Sequence, residues 1–158
     1  MLYLYRERYN LKRSKIFITM KTLYVAEATA TGGRNGHVQS SDNVLDLQVR
    51  MPKTLGGDGG AFTNPEQLFA AGYSACFDSA LNYVANLKKT PLLDTEVTAK
   101  VAIGALPTGG FGLAAELFVK IPNVDRAKAE ELLQAAHMAC PYSNATRGNI
   151  EVKLHLVD

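Results

Sequence analysis

The chain has 158 residues, of which 47% are hydrophobic and 20% are charged, and its formal net charge is +2. This length suits one domain that buries its own core without disulfides or a structural metal. Two cysteines are too few for a secreted disulfide scaffold, so we expect a reducing, cytoplasmic setting. No apolar run approaches the ~18 residues of a membrane-spanning helix, and we expect no membrane association.

The first 19 residues differ from the rest of the chain in charge. They carry five basic side chains and one glutamate, a net of +4, which leaves −2 for residues 20–158. That balance provides no general electrostatic attraction for nucleic acid, so we expect no nucleic-acid partner. The segment lacks the apolar stretch and cleavage site of a signal peptide. We interpret residues 1–19 as an N-terminal extension, disordered or upstream of a natural start at Met20, and residues 20–158 as a single domain. A functional basic arm is the alternative.

The N-terminal third is predicted to form strands and turns. Residues 22–31 are small and strand-like, and residues 31–36 form a tight turn rich in glycine and asparagine. Residues 44–49 alternate between apolar and polar side chains, as in a half-buried strand. The glycine-dense segment 56–60 lacks the lysine and hydroxyl residues of a phosphate-binding loop, so we interpret it as a connector.

A long helix is predicted over residues 64–87. Asn64 is a good N-cap, Pro65 suits the first helical turn, and Gln67 completes a box-like arrangement with the cap. The helix is apolar nearly all round, which predicts that it is buried and does not lie on a surface. Two lysines and a proline follow its end.

The C-terminal half is predicted to contain strands on both sides of a second helix. Period-two alternation marks three strands, at residues 97–103, 113–119 and 150–156. Asp125 is a cap for the second helix, which ends near Cys140 because Pro141 disfavours helical geometry before it. A short turn or helix follows at 142–147. Strands grouped at both ends of the chain around two helices predict an α+β fold.

The two cysteines lie in different local settings. Cys76 lies within the long apolar helix, and Cys140 lies beside the proline that ends the second helix. A thiol on a helix and a thiol at a movable helix end are what a reactive cysteine and its resolving partner require. The alternative for Cys76 is an inert packing residue, because apolar burial raises the pKa of a thiol. Cys140 has the same alternative, as packing at a helix end.

A reactive Cys76 needs a fixed cation that favours its thiolate. Arg34, in the glycine-rich turn, is the best-placed candidate because a guanidinium stays charged and presents a rigid fork of donors. Glu66 is a carboxylate that could hold this fork. It lies ten residues before Cys76, roughly 15 Å along the helix axis, so it would reach the thiol only through a bridging arginine. Read singly, Arg34 is also consistent with a solvated loop charge and Glu66 with a partner of the helix dipole.

Two other chemistries have little support in the sequence. His137, Cys140 and Cys76 would supply three soft ligands, but no fourth follows and no CxxC pair is present, so we expect no metal site. A cysteine–histidine dyad that uses His37 or His137 lacks a signature. His155 alternates outward on the last strand and is predicted to lie at the surface.

Three separated segments carry a likeness to a known family: TATGGRNGH at 29–37, NPEQLFAAGYSACF at 64–77 and HMACPYSNATRGN at 137–149. Over residues 20–158 the chain resembles the organic hydroperoxide resistance proteins, the Ohr branch of the Ohr/OsmC family. The position of Arg34 in its turn before the long helix favours this branch over the OsmC branch. The resemblance implies an intertwined α+β homodimer with two long central helices, flanking antiparallel sheets and active sites at the subunit interface.

The same resemblance implies a thiol-dependent peroxidase that needs no cofactor and acts in the response to oxidative stress. Cys76 would be the peroxidatic cysteine and Cys140 the resolving cysteine, while Arg34 would activate the thiolate and Glu66 would orient the arginine. The substrates would be organic hydroperoxides, including those of fatty acids. The reductant would be a lipoylated protein or dihydrolipoamide, rather than thioredoxin or glutathione.

The implied reaction proceeds through a sulfenic acid on Cys76 and a disulfide with Cys140, which a lipoyl dithiol reopens. Candidate apolar walls for the substrate are three phenylalanines: Phe69, Phe77 and Phe111. One alternative is an OsmC-type peroxidase. The other is a non-catalytic carrier of apolar ligands, or a redox sensor, on the same fold with Cys76 as packing.

Overall fold

The computed structural model describes residues 20–157, in which two three-stranded sheets accompany three α-helices. The strands are β1 (Ala28–Thr31), β2 (His37–Ser40), β3 (Asp46–Gln48), β4 (Glu96–Ala105), β5 (Phe111–Lys120) and β6 (Val152–Val157). The helices are α1 (Pro65–Leu87), α2 (Arg126–Ala139) and α3 (Pro141–Thr146), with short 3-10 turns at Gly33–Asn35 and Lys53–Leu55. This mixture confirms the α+β class. The extension predicted for residues 1–19 lies outside the described residues.

The N-terminal sheet is antiparallel in the order β1-β2-β3. The prediction of a strand from residue 22 is wrong before Ala28. The partner of Ala28 is Ser40, the last residue of β2, and among residues 20–27 the ladder continues only to Glu27, whose carbonyl accepts the N–H of Ser41 in the turn after β2. Residues 20–27 are exposed, and among the described residues none of this sheet belongs to the hydrophobic core.

Helix α1 begins as predicted. The Asn64 side chain accepts the backbone N–H of Gln67 at 2.9 Å, and Pro65 occupies the first helical position. The Gln67 side chain accepts a hydrogen bond from Thr63 instead of returning to the cap, so the box is only half formed. The helix ends at Leu87, as predicted.

The burial of α1 differs from the prediction. Tyr73, Phe77 and Leu81 are fully buried, but a stripe with a spacing of four residues is exposed in the single chain: Gln67, Ala71, Ala75, Ser79, Tyr83 and Leu87. The apolar composition of the helix predicted a buried element, without an exposed stripe of this length. Within residues 20–157 no element of the same chain covers this stripe.

The C-terminal sheet has the order β4-β5-β6. Strands β4 and β5 are antiparallel, whereas β5 and β6 run parallel, which differs from the expected antiparallel sheets. The connection explains the difference, because α2 and α3 carry the chain back along the sheet before β6 begins.

The core lies between this second sheet and helices α1 and α2. Its fully buried members include Leu117 and Val119 of β5 and Leu132 of α2. The Asp125 side chain accepts the backbone N–H of Lys128 at 2.9 Å and caps α2, as predicted. The core therefore anchors both helices that lead to cysteines. No helix within residues 20–157 is long and apolar enough to cross a membrane.

Candidate active site

Arg34 lies in the 3-10 turn Gly33–Asn35, between β1 and β2. Glycine is required on both sides of it. Gly32 has a φ of 71°, and a Cβ on Gly36 would lie 1.7 Å from the carbonyl oxygen of Thr31. Because larger residues do not fit these positions, the turn stays tight and holds the Arg34 backbone close to the sheet.

The segment after β3 braces the turn. Arg50 Nη1 donates to the carbonyl of Gly36 at 3.1 Å, and its guanidinium lies 4.9 Å from the ring centre of Phe62. The Asn35 side chain accepts the backbone N–H of Met51 at 3.2 Å. Arg50 was not among the predicted site residues, because an arginine after a short strand is ordinarily a surface charge.

Arg34 and Glu66 form a bidentate ion pair. Arg34 Nη1 donates to Glu66 Oε2 at 2.9 Å, and Nη2 donates to Oε1 at 2.6 Å. These hydrogen bonds lower the pKa of Glu66 below its ordinary value, and the carboxylate raises the pKa of Arg34. The structure thus brings together two of the predicted site residues, and their contact keeps both of them charged.

The two cysteines also lie side by side. Their sulfur atoms are 3.6 Å apart, with the Cys140 thiol placed to donate to Cys76 Sγ. Cys140 is fully buried at the junction of α2 and α3, and Cys76 is half-buried on α1. A disulfide needs the sulfurs to approach by roughly 1.5 Å more. A small movement of the junction is therefore sufficient to join them.

The pKa of Cys76 is raised in the single chain. Burial is the largest cause, the backbone N–H of Tyr142 acts in the opposite direction, and the neighbouring Cys140 raises the pKa further. Arg34 is not among the groups that act on this thiol. The glutamate that holds Arg34 lies ten residues before Cys76 on α1, roughly 15 Å along its axis. Among the described residues, the arginine–glutamate pair and the two thiols are each joined by their own hydrogen bonds, and no hydrogen bond links one pair to the other.

Aromatic rings flank Cys76 on α1. The Tyr142 ring centre lies 6.0 Å from that of Phe69 and 5.8 Å from that of Tyr73. Gly72 makes room for it, since a Cβ there would lie 2.9 Å from the Tyr142 hydroxyl. Phe69, Gly72, Tyr73 and Cys76 share one face of the helix because they are three or four residues apart. The glycine inside an apolar helix was the sequence signal for this contact.

A buried polar network lies beside the thiols. The Tyr73 hydroxyl is 3.0 Å from Ser143 Oγ and 3.3 Å from Thr146 Oγ1, and His137 Nδ1 is 3.0 Å from Ser143 Oγ. Arg147 Nη2 donates to the His137 carbonyl at 2.8 Å. This network was not predicted, because Tyr73 has the sequence pattern of a core residue. The density of polar side chains after Cys140 was the available signal.

A cavity of about 350 Å³ adjoins the arginine–glutamate pair. Phe69 and Phe111, two of the three phenylalanines predicted for a pocket, line it together with Ile103. Phe77 does not line it and is fully buried in the core. Phe77 follows Phe69 by eight residues, a rotation of about 80° around α1, which turns its side chain toward the sheet.

The histidines have partners other than the cysteines. His37 Nε2 lies 2.5 Å from Asp46 Oδ1, His155 Nε2 lies 2.7 Å from Glu116 Oε2, and His137 belongs to the polar network. The His155 side chain is partly exposed on the outer side of its sheet. Within residues 20–157 no three His, Cys, Asp or Glu side chains are grouped as metal ligands.

Comparisons with known sequences agree with one another. A family model described as OsmC-like protein matches residues 56–155. The organic hydroperoxide resistance protein of Xanthomonas axonopodis pv. citri is 53% identical over 137 residues, which cover 86% of this chain and 96% of that protein. The organic hydroperoxide resistance protein OhrB of Bacillus subtilis is 48% identical over 135 residues, or 85% of this chain and 98% of that protein.

Solved structures extend the similarity to the fold. The crystal structure of an organic hydroperoxide resistance protein from Elizabethkingia anophelis superposes with a TM-score of 0.84 at 60% identity, over 88% of this chain and 99% of the other. The structure of Bacillus subtilis OhrB gives 0.79 at 47% identity, over 86% and 100%. The similarity in sequence and in structure therefore spans nearly all of the described residues.

Proposed function

The chain belongs to the organic hydroperoxide resistance branch of the OsmC-like family, and we propose that it is a cysteine-based peroxidase that reduces organic hydroperoxides to alcohols. One observation carries the proposal. The sulfurs of Cys76 and Cys140 lie 3.6 Å apart in a chain whose relatives are named for resistance to these compounds. A thiol pair at this distance is suited to a cycle of oxidation and disulfide formation.

In the first step, the Cys76 thiolate attacks the outer oxygen of the hydroperoxide. The oxygen–oxygen bond breaks, the alkoxide takes a proton and leaves as the alcohol, and Cys76 becomes a sulfenic acid. Arg34 stabilises the thiolate and the negative charge that develops on the peroxide oxygens. Glu66 orients the guanidinium through its two hydrogen bonds.

In the second step, the Cys140 thiol attacks the Cys76 sulfur, a disulfide forms and water leaves. A lipoyl dithiol, on a protein or as dihydrolipoamide, then reopens the disulfide by exchange through a mixed disulfide. Cys76 is half-buried whereas Cys140 is fully buried, so we expect the reductant to attack Cys76.

A homodimer would unite the two halves of this site. Arg34 contacts Glu66, and Glu66 lies roughly 15 Å along α1 from Cys76 of the same chain. Ala71 lies midway between Glu66 and Cys76, within the exposed stripe of α1. If two copies of α1 pack antiparallel about a two-fold axis beside Ala71, Arg34 of the partner subunit approaches Cys76.

The N-terminal sheet also supports a second subunit. Every residue of β1 is exposed, and the sheet lies outside the hydrophobic core of its own chain. A sheet of three short strands gains stability by packing one face against another surface. A partner chain that covers this sheet would also remove water from around Arg34, which strengthens its action on a thiolate.

The cavity beside Arg34 suits an alkyl or acyl chain. Its volume of about 350 Å³ is in the range of small-molecule sites, and Phe69, Phe111 and Ile103 give it apolar walls. Burial of the organic group against these side chains favours binding in proportion to the apolar area removed from water. Hydrogen peroxide has no such group, so we expect organic hydroperoxides to react faster.

A second candidate function follows from the raised pKa of Cys76 in the single chain. That shift opposes nucleophilic attack and would suit a carrier of apolar ligands, or a redox sensor, in which Cys76 is a packing residue.

The test is stopped-flow consumption of a fatty-acid hydroperoxide and of hydrogen peroxide, with dihydrolipoamide as reductant. Wild type is compared with Cys76→Ser and with the control variant Ser74→Ala. Ser74 is a neighbour of Cys76 on α1, and its hydroxyl donates to the helix carbonyl of Ala71. We expect rapid turnover of the organic peroxide, weak turnover of hydrogen peroxide, and loss of activity in Cys76→Ser alone. Slow, unselective consumption that survives in Cys76→Ser would favour the carrier or sensor.

A further inference from the structure

The polar network connects all three elements that position the thiols. Tyr73 lies on α1, three residues before Cys76, and His137 lies on α2, three residues before Cys140. Ser143 lies on α3 and contacts both Tyr73 and His137 at 3.0 Å. Each of these two hydrogen bonds crosses from one element to another. The network therefore ties the helix that carries Cys76 to the junction that carries Cys140.

Burial makes the loss of either of these hydrogen bonds costly in free energy. Tyr73 and Ser143 have no exposed surface, so water does not replace a bond that is lost. Burial and the charge of Arg147 lower the pKa of His137, and its ring is accordingly neutral near pH 7. With the ring proton on Nε2, Ser143 donates to Nδ1 and Tyr73 donates to Ser143, so each hydroxyl proton has an acceptor.

The position of the Cys140 side chain, at the junction of α2 and α3, depends on how α3 packs against α1. The Cys140 N–H donates to Ala136 at the end of α2, and its carbonyl accepts from Asn144 in α3. These bonds define the backbone of the junction but not its distance from α1. On α1, that distance depends on Tyr73, whose hydroxyl meets α3, and on Gly72, which admits the Tyr142 ring.

We propose that Tyr73, Ser143 and His137 are positioning residues for disulfide formation, which hold Cys140 close enough to Cys76 for the sulfenic acid to be resolved before it is oxidised further. This inference rests on the proposed peroxidase function. Tyr73 and Ser143 are fully buried and His137 is partly buried, none of the three lines the cavity beside Arg34, and their side-chain hydrogen bonds join them to one another and to Thr146. Their role is in the second step and not in the first.

Two reactions compete for the sulfenic acid of Cys76. In one, the Cys140 thiol attacks its sulfur and water leaves as the disulfide forms. In the other, a second hydroperoxide transfers an oxygen, which gives a sulfinic acid and an alcohol. The first reaction is intramolecular, and its rate depends on how well the two sulfurs are held together. The rate of sulfinic acid formation depends on the peroxide concentration. At a fixed peroxide concentration, the ratio of disulfide to sulfinic acid therefore measures how well the network holds the two sulfurs together.

The test uses the full chain with Tyr73→Phe, Ser143→Ala and the double variant. The matched control is Tyr24→Phe, which removes a hydroxyl from a residue that is 80% exposed and lies before β1. Stopped-flow mixing with cumene hydroperoxide gives the rate of peroxide consumption, free-thiol counting gives disulfide formation, and mass spectrometry gives the sulfinic acid fraction. Thermal unfolding is followed in parallel to establish that each variant is folded.

For Tyr73→Phe and Ser143→Ala we expect peroxide consumption within about twofold of wild type and disulfide formation slower by about tenfold. The peroxide concentration that gives half sulfinic acid should fall by about the same factor. The double variant should be no slower than the slower single variant, because both changes remove one network. Tyr24→Phe should match wild type.

An unchanged rate of disulfide formation in both single variants would overturn the inference. So would an equal slowing of both steps, since that indicates general disruption and not positioning. If wild type consumes no hydroperoxide, the proposed function fails. The network is then tested separately, with diamide as the oxidant that forms the disulfide of Cys76 and Cys140 directly. A slowing with diamide in Tyr73→Phe but not in Tyr24→Phe would still support the network, and equal rates would refute it.

Discussion

Replacement of Glu66 by glutamine tests the arginine–glutamate pair most directly. Glutamine preserves the size of the side chain but offers one acceptor oxygen, so one of the two hydrogen bonds from Arg34, at 2.9 and 2.6 Å, is lost. A hydrogen bond between charged groups contributes about 1.5–3 kcal/mol, and exposure of 31% of the Arg34 side chain weakens it. We therefore expect a loss of about 1–2 kcal/mol, or about 5- to 30-fold in kcat/KM for an organic hydroperoxide.

The assay is stopped-flow oxidation of the pre-reduced protein by cumene hydroperoxide, between about pH 5 and pH 9. Glu130→Gln is the matched control, because Glu130 pairs with Arg126 at 3.1 Å on an exposed face of α2. The pKa of Glu66 lies below its ordinary value of 4.5. The contribution of the Arg34–Glu66 ion pair to the stability of the site is thus present above pH 4.5. It is lost only as the pH falls through the lowered pKa of Glu66.

Across the assayed range Glu66 stays charged, so the ratio of wild-type to variant rates should not change with pH. Any change of the wild-type rate in that range then belongs to another group, of which Cys76 is the expected one. If Glu66→Gln reacts within about twofold of wild type, or no more slowly than Glu130→Gln, the pair has no part in the reaction.

Four further changes test the fold and the assembly. Leu117→Ala, at a fully buried position of β5, should lower the free energy of unfolding in urea by about 2–5 kcal/mol, and a loss under 1 kcal/mol would contradict the assigned core. Asn64→Ala removes the cap of α1 and should cost about 1 kcal/mol by the same measurement, with Asn64→Asp close to wild type. Gly36→Ala should displace the Arg34 turn and reduce peroxidase activity more than stability, because its Cβ clashes at 1.7 Å; equal activity would show that the turn adapts. Ala71→Arg should yield monomers in sedimentation velocity and inactive protein, and an active dimer would exclude the proposed two-fold axis.

Helix boundaries were predictable because their signals are local. Asn64 and Asp125 each accept a backbone N–H three residues further along the chain, so the cap and the group it satisfies are close in sequence. The turn around Arg34 was also predictable from the sequence. The need for glycine at positions 32 and 36 depends only on the backbone conformation within about six residues. In contrast, the first residue of β1 is set by the last residue of β2, with which it pairs. The pattern of residues 22–31 alone does not indicate where β2 ends.

The composition and spacing of the sequence by themselves determined an α+β chain with capped helices, an arginine in a glycine turn and two cysteines in distinct settings. Only the tertiary structure decided that Cys76 and Cys140, 64 residues apart, lie 3.6 Å from each other, and that Phe77 turns to the core while Phe69 lines the cavity. It also revealed the bonds of Tyr73 to Ser143 and Thr146. The physical reason is that caps and turns satisfy backbone groups within a few residues, whereas these contacts depend on how α1, α2 and α3 pack together around one core.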